Sequence, residues 1–208
     1  MKLREMAVPG ERLDIRASAK ETVRRILEAG SACLARFGNE KTSIQDVADA
    51  AGLSRATIYR YYPDRAQLFQ AVTDQEFAQQ LDDVRARAGT AVGLEAALAI
   101  VGEVIAAAAL RYHTRDHLRN RDRGLAQYLY FQQRDRLAFA RRLVRPYVER
   151  AHEAGELTVE VSLDEAVEWI VMSLAVIPTL PPSRTLDFDD PVAVGRFFAK
   201  RLCRGLSR

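Results

Sequence analysis

Two features of the sequence predict an all-α protein. Apolar residues recur every three or four positions over long segments, which is the spacing of one face of an α-helix. No segment alternates apolar and polar residues as a half-buried strand would, and glycines and prolines separate the periodic segments. The chain has 208 residues, of which 48% are hydrophobic, and is long enough to bury full cores. We therefore expect an N-terminal domain over residues 1–65 and a larger helical domain over 66–208.

The composition excludes several classes of protein. The hydrophobic content is too high for a disordered chain. No apolar run reaches the length of a membrane span, since Glu103 interrupts the longest one, and the first residues lack the apolar core of a secretory signal. Cys33 and Cys203 lie on different predicted helices. The sequence thus predicts a reduced, cytoplasmic protein with no membrane association.

The stretch from Thr42 to Leu68 predicts two short helices joined by a tight turn, with a third helix directly after them. Ser43 and Asp46 have the spacing of a capping box, which marks the start of the first helix. Gly52 provides the turn, because glycine adopts positive φ without steric cost. Ser54 is the predicted N-cap of the second helix. This arrangement is a helix-turn-helix.

The second of these helices has an outer face suited to DNA. Ile58 and Tyr62 share its inner face, so the residues between them and before them point outward. That outer face is small, hydroxylated, aromatic and basic, with no acidic residue. Arg55 and Arg60 are the best candidates to bind guanine in the major groove, and the tyrosines can contact phosphates or thymine methyls.

This stretch resembles the helix-turn-helix of the TetR/AcrR family of bacterial regulators. Upstream, the resemblance rests on Ile26, Ala29, Phe37 and Gly38. It then follows Thr42-Ser43-Ile44, Val47-Ala48, Ala51-Gly52-Leu53-Ser54, Thr57-Ile58-Tyr59 and Leu68-Phe69. The chain departs from the commoner family pattern at Arg60, Tyr61, Tyr62 and Pro63, which bears on the DNA sequence recognised rather than on the fold.

The resemblance implies a homodimer that binds a palindromic double-stranded operator and releases it when a small-molecule effector binds the C-terminal domain. It implies a repressor that needs no cofactor, and it makes Arg65 a phosphate-binding residue. The predicted DNA-binding residues are Thr42, Ser43, Ser54, Arg55, Thr57, Tyr59, Arg60, Tyr61 and Arg65.

The charge distribution is uneven, although the net charge is only +3. Residues 1–65 carry twelve Lys/Arg and nine Asp/Glu, as suits a DNA-binding domain. Residues 111–150 carry eleven arginines and four acids. Two explanations stay open for this second basic segment. Its arginines form a helix surface balanced by acids elsewhere, or a few of them line a pocket for an anionic ligand.

Other basic and polar residues also have two explanations. Arg12 and Arg16, on an expected mobile arm before a helix over 18–37, and Lys20 near the start of that helix, either face solvent or contact DNA. His113 and His117 have the i,i+4 spacing of metal ligands, but no third strong ligand is near them, so we predict no metal site. No catalytic triad or glycine-rich phosphate loop is present, and we predict no enzyme.

The larger domain is expected to hold four long helices, over 94–112, 124–154, 162–177 and from about 190 onward, with Pro146 kinking or bounding the second. The family resemblance predicts an effector pocket and a dimer interface there. The predicted effector is hydrophobic, with an anionic head favoured over a cationic one. The predicted pocket residues are Phe77, Ile105, Tyr128, Phe131, Trp169 and Met172, and the predicted interface residues are Val171, Phe197 and Phe198. The competing hypotheses are a helical scaffold protein without operator binding and an unrecognised enzyme.

Overall fold

The computed structural model describes residues 9–112, 134–157, 161–180 and 183–206. All regular secondary structure in these ranges is helical, which confirms the predicted all-α fold class. The chain divides into two compact units, the first ending at Glu76 and the second beginning at Phe77. The helices are α1 (Pro9–Lys41), α2 (Ile44–Ala51), α3 (Arg55–Tyr61), α4 (Arg65–Ala88), α5 (Leu94–Tyr112), α6 (Arg134–Glu153), α7 (Leu163–Ala175) and α8 (Pro191–Leu206), with a 3-10 turn (Ile177–Thr179) after α7.

Helix α1 begins earlier than predicted, at Pro9 rather than near residue 18. Proline is favourable at the first helical position, because its fixed φ already suits a helix. The expected arm at Arg12 and Arg16 therefore has helical backbone. The regular helix ends at Gly38, as predicted, where the backbone turns to φ 76° and ψ 169°.

The first unit packs α1 to α3 and the start of α4 around one small core. Its fully buried side chains include Ile26, Val47, Ile58 and Leu68. Helix α1 comes close to α4 at Gly30, where an added Cβ would lie 2.6 Å from Cγ2 of Val72. This core fixes α3, because Ile58 is held on all sides.

In the second unit, α5 and α8 approach each other closely at two glycines. A Cβ on Gly102 would lie 3.0 Å from Cα of Gly195, and a Cβ on Gly195 would lie 2.6 Å from the backbone nitrogen of Glu103. The core around this crossing is formed by apolar residues of all four long helices, among them Leu98, Val148, Val167, Ile170 and Val194.

Ion pairs join α6 to α7. Arg141 donates to both carboxylate oxygens of Glu168, at 2.6 and 2.9 Å, and Arg145 donates to Asp164. Pro146 lies inside α6 and is not a boundary, although it removes one backbone donor. Buried side chains on either side of it, Val144 and Val148, keep the helix packed.

Acidic side chains accept backbone N–H groups at the starts of α5, α7 and α8. Glu156 accepts the N–H of Leu94 at 3.1 Å and so caps α5 from a distant position in the chain. Ser162 and Glu165 form the predicted capping box of α7, and Asp190 caps α8. None of the described helices is long and apolar enough to span a membrane.

Candidate nucleic-acid interface

Two serines fix the starts of α2 and α3. The hydroxyl and the backbone N–H of Ser43 each donate to the carboxylate of Asp46 at 2.7 Å, and these bonds lower the pKa of Asp46 below its ordinary value. The Ser54 hydroxyl accepts the N–H of Thr57 at 3.1 Å. Gly52 lies between the helices at φ 63°. The capping box, the turn and the second cap are thus confirmed as predicted.

Helix α3 presents the basic aromatic face. Ile58 is fully buried, whereas Arg55, Tyr59 and Arg60 are exposed, and Tyr61 is half-buried. The guanidinium of Arg55 lies 5.8 Å from the ring centre of Tyr59, and that of Arg60 lies 5.3 Å from the ring centre of Tyr61. Each arginine is therefore paired with a tyrosine before any ligand arrives, and no acidic residue lies on this helix.

Thr42 does not have the position that a side-chain DNA contact needs. It is 2% exposed, and its hydroxyl donates to the carbonyl oxygens of Gly38 at 2.7 Å and Cys33 at 3.1 Å. Its polar group is satisfied inside the first unit, where it ties the end of α1 to the start of α2. The contribution of Thr42 is to the packing of the helix-turn-helix.

Arg65 is also occupied within the protein. Its Nε donates to the carbonyl of Thr42 at 3.1 Å, and its Nη2 donates to the backbone and side-chain oxygens of Asn39. The guanidinium lies 4.5 Å from the ring centre of Phe69. Arg25 acts in a similar way, because its Nη2 donates to the carbonyl of Ala51 at 2.6 Å. Sequence reasoning missed these two clamps, since both bridge residues more than twenty positions apart.

The part of the sequence that forms the helix-turn-helix matches a known family of proteins. The sequence model described as "Bacterial regulatory proteins, tetR family" matches residues 26–72, which span the end of α1 through the start of α4. Residues 26–72 of this chain are therefore similar to the TetR family. The family consists of DNA-binding regulators rather than enzymes.

Curated relatives match this chain over 56 to 64 residues. The probable acrEF/envCD operon repressor of Escherichia coli K12 is 34% identical over 61 residues, which cover 29% of this chain and 28% of the relative. The regulator TtgR of Pseudomonas putida is 36% identical over 56 residues, covering 27% of each chain. An uncharacterised helix-turn-helix regulator of Mycobacterium tuberculosis is 31% identical over 64 residues. The chain spans about a third of that relative's length, 34%.

Solved structures share the fold over nearly the whole chain. The fatty acid degradation regulator FadR of Bacillus halodurans aligns with a TM-score of 0.64 at 19% identity, covering 90% of this chain and 97% of that one. The regulator FadR of Bacillus subtilis, in complex with stearoyl-CoA, aligns with a TM-score of 0.64 at 17% identity, covering 88% and 98%. At these identities the likeness establishes the fold alone.

The predicted effector pocket is not assembled as expected among the residues that the structure describes. Trp169 and Met172 are 53% and 51% exposed, so they lie on the surface of the second unit rather than in a cavity. Tyr128 and Phe131 lie outside the described residues, as do His113 and His117. Ile105 packs against the core and Phe77 packs edge-on against Phe139, with their ring centres 5.6 Å apart. The described residues contain no group of metal-ligating side chains.

The predicted interface residues differ in how far they are buried. Val171 is 3% exposed and belongs to the core of the second unit, so it is not a surface residue. Phe197 and Phe198 are half-buried, with ring centres 5.6 Å apart, and Phe198 packs on the core. The exposed apolar residues of α7 and its C-cap are instead Trp169, Met172 and Val176. Their i, i+3, i+7 spacing could have revealed this second apolar face, because α7 is apolar on both sides.

A groove in the second unit was not foreseen. It has a volume of about 650 Å³ and lies between the end of α4 and the outer face of α6. It is lined by Arg85, Gly89, Phe139, Arg142, Leu143, Pro146, Tyr147, Glu149, Arg150 and Glu153. In the sequence, aromatic, apolar and arginine residues recur on one face of α6. This pattern was missed because the arginines of residues 111–150 were considered as a single group.

Proposed function

We propose that this protein is a ligand-responsive transcriptional regulator, a repressor that binds a palindromic operator as a homodimer in the cytoplasm. The observation that carries the proposal is the outer face of α3, where Arg55, Tyr59 and Arg60 are exposed while Ile58 anchors the helix. A short helix of this kind enters the major groove and reads base edges. A buried polar site would be needed for catalysis, whereas this face is open and basic.

The arginine–tyrosine pairs suit base recognition. An arginine fork donates two hydrogen bonds to guanine O6 and N7. Stacking on Tyr59 and Tyr61 restricts Arg55 and Arg60 beforehand, so less side-chain entropy is lost on binding. Arg60 points further from Ile58 around the helix than Arg55 does, since their positions lie about 160° and about 60° from Ile58 at 3.6 residues per turn. Arg60 is therefore the first candidate for guanine.

Dimerisation is supported by the apolar surface of α7. Trp169, Met172 and Val176 expose large side chains along one face of a helix, and Gly205 of α8 lies beside Trp169, with its Cβ position 3.8 Å from Nε1. Contiguous exposed apolar surface of this kind marks interaction sites. A second copy placed on the same face would form a symmetric interface and bury Trp169 in both chains.

The effector is proposed to be hydrophobic with an anionic head. Chains of the same fold hold different ligands, since FadR of Bacillus subtilis is in complex with stearoyl-CoA and RolR is in complex with resorcinol. The fold therefore leaves the ligand class open, and the excess of arginine in residues 111–150 favours an anion. Release of DNA requires that the effector bind the non-binding conformation more tightly.

The experiment is selection of bound duplexes from a random pool. We expect an inverted repeat whose half-sites are centred about 34–36 Å apart, one helical turn, as two recognition helices of a dimer require. Recovery of sequences without a shared motif would contradict the proposal and would leave a helical scaffold protein as the better account.

A further inference from the structure

The groove between α4 and α6 has an apolar floor and a cationic rim. Phe139, Leu143, Pro146 and Tyr147 share one face of α6 at i, i+4, i+7 and i+8. These side chains offer rings and methyl groups rather than hydrogen-bonding groups, except for the Tyr147 hydroxyl. A ligand in the groove would thus meet apolar surface along most of its length.

The arginines of α6 divide into two groups. Arg141 and Arg145 are paired with Glu168 and Asp164 of α7. Arg142 and Arg150, by contrast, line the groove and have no carboxylate partner among the described residues. The guanidinium of Arg142 lies 5.7 Å from the ring centre of Phe139, and that of Arg150 lies 5.2 Å from the ring centre of Tyr147. Two guanidinium groups are thus held beside the apolar floor, and neither forms an ion pair with an acid in the described part of the chain.

Arg85 contributes from the opposite wall. Its guanidinium also lies 5.7 Å from the ring centre of Phe139, and its carboxylate partner Asp82, exposed on the same helix, is 3.6 Å away. Glu149 and Glu153 line the groove as well, and Glu149 faces Arg145 at 3.6 Å. Cations therefore outnumber anions, and one of the two anions already has a partner.

The groove is long. Its α6 wall runs from Phe139 to Glu153, which is about 21 Å at 1.5 Å of rise per residue. An extended molecule fits these dimensions better than a compact one. The guanidinium forks are matched to carboxylate or phosphate.

We propose that this groove binds an anionic amphiphile, an extended apolar chain with a carboxylate or phosphate head. Leu143, Pro146 and the rings of Phe139 and Tyr147 pack against the chain, and either Arg142 or Arg150, which lie about 12 Å apart along α6, binds the head. The proposal deepens the proposed ligand-responsive function by giving the effector class a site, and it rests on that function for its regulatory meaning. Ligand binding itself is independent of DNA.

The test is isothermal titration calorimetry of the full chain with decanoate below its micellar concentration. Butyrate, decanol and decyltrimethylammonium are the comparators for chain length, neutral head and cationic head. We expect decanoate to bind at least about tenfold more tightly than butyrate, because the longer chain buries more CH₂ groups. Decanol and decyltrimethylammonium should bind more weakly than decanoate.

The variants are Arg142→Gln and Arg150→Gln, each of which removes one charge from an exposed residue and keeps most of the stem. Arg184→Gln, an exposed arginine outside the groove, is the matched control. The variant that loses the head-binding arginine should weaken decanoate about tenfold, as loss of a charged hydrogen bond does, and Arg184→Gln should not. Thermal melting checks that all variants are folded.

Three results would overturn the proposal: no decanoate binding by the unmodified chain, equal binding by all variants, or preference for the cation. Preference for the cation would mean that Glu149 and Glu153, rather than the arginines, bind the head group of a ligand in the groove. Operator affinity is measured separately on the ligand-free chain, so failure to bind DNA would contradict the proposed function without deciding the ligand result.

Discussion

Single side chains of the first unit divide into those that build the helix-turn-helix and those that face outward. Ser43, Ser54 and Gly52 could be predicted from sequence because a cap or turn depends on residues within three positions. Thr42 and Arg65 could not, because Cys33 lies nine positions from Thr42 and Thr42 lies 23 positions from Arg65. In the sequence, the hydroxyl of Thr42 and the guanidinium of Arg65 resemble phosphate ligands. In the fold, both groups donate hydrogen bonds to backbone carbonyl oxygens.

Arg60→Ala should relax the operator preference at one or two positions. The side chain is exposed on α3 with its guanidinium over the ring of Tyr61, so its loss removes base discrimination of about 1–3 kcal/mol without affecting the core. Competition binding against duplexes substituted at each position measures this. A uniform loss of affinity across all duplexes, or a lower melting temperature, would contradict the assignment.

Arg65→Ala should act on stability instead. Removing the guanidinium leaves carbonyl oxygens of Asn39 and Thr42 without their donor, which costs about 1–3 kcal/mol in the free energy of unfolding. Urea denaturation of Arg65→Ala and Arg60→Ala side by side makes the comparison. Equal stability of the two variants would show that the hydrogen bonds of Arg65 to Asn39 and Thr42 do not stabilise the fold. It would instead favour the prediction that Arg65 binds phosphate.

Ser43→Ala should raise the pKa of Asp46. The hydrogen bonds from Ser43 lower the pKa of this carboxyl in the folded protein, so the linked stability is present above the unfolded pKa of about 3.9 and is lost as the pH falls through the folded value. Carboxyl NMR titration of both proteins checks the shift. An unchanged Asp46 pKa in the variant would contradict the capping account.

At the scale of helices, the sequence predicted element positions better than it predicted which face each helix buries. The predicted span 94–112 coincides with α5, while α1 extends beyond its predicted start. Trp169 and Val171 were assigned to a pocket and an interface, yet the first is exposed and the second is core. Helix α7 is apolar on both faces, so periodicity alone could not say which face meets the rest of the unit.

Two glycines of α8, the helix that packs closely on α5, should respond in opposite ways to substitution by alanine. The free energy of unfolding should fall at one and rise at the other. Gly195→Ala should destabilise the protein by about 1–3 kcal/mol, because the new methyl group would meet the backbone of Ala99 and Glu103. Gly205→Ala on the same helix has ordinary space and should stabilise by up to about 1 kcal/mol through helix propensity. Thermal unfolding of both variants is the measurement, and a stabilised Gly195→Ala would contradict the packing.

At the scale of the whole molecule, the proposed dimer depends on the exposed face of α7. Trp169→Glu should yield a monomer in sedimentation equilibrium at micromolar concentration, since it places a charge in an apolar interface. Val92→Glu is the control, because Val92 is 93% exposed in the segment between α4 and α5. A dimer that survives Trp169→Glu, or a monomeric unmodified chain, would contradict this interface.

The central claim is sequence-selective DNA binding through α3, and fluorescence anisotropy with the selected duplex and a scrambled one tests it most directly. We predict that the selected duplex binds at least about 10³-fold more tightly, and that log K falls linearly with log salt concentration as counterions are released. Equal affinity for the two duplexes, or no binding to either at low salt, would contradict the account.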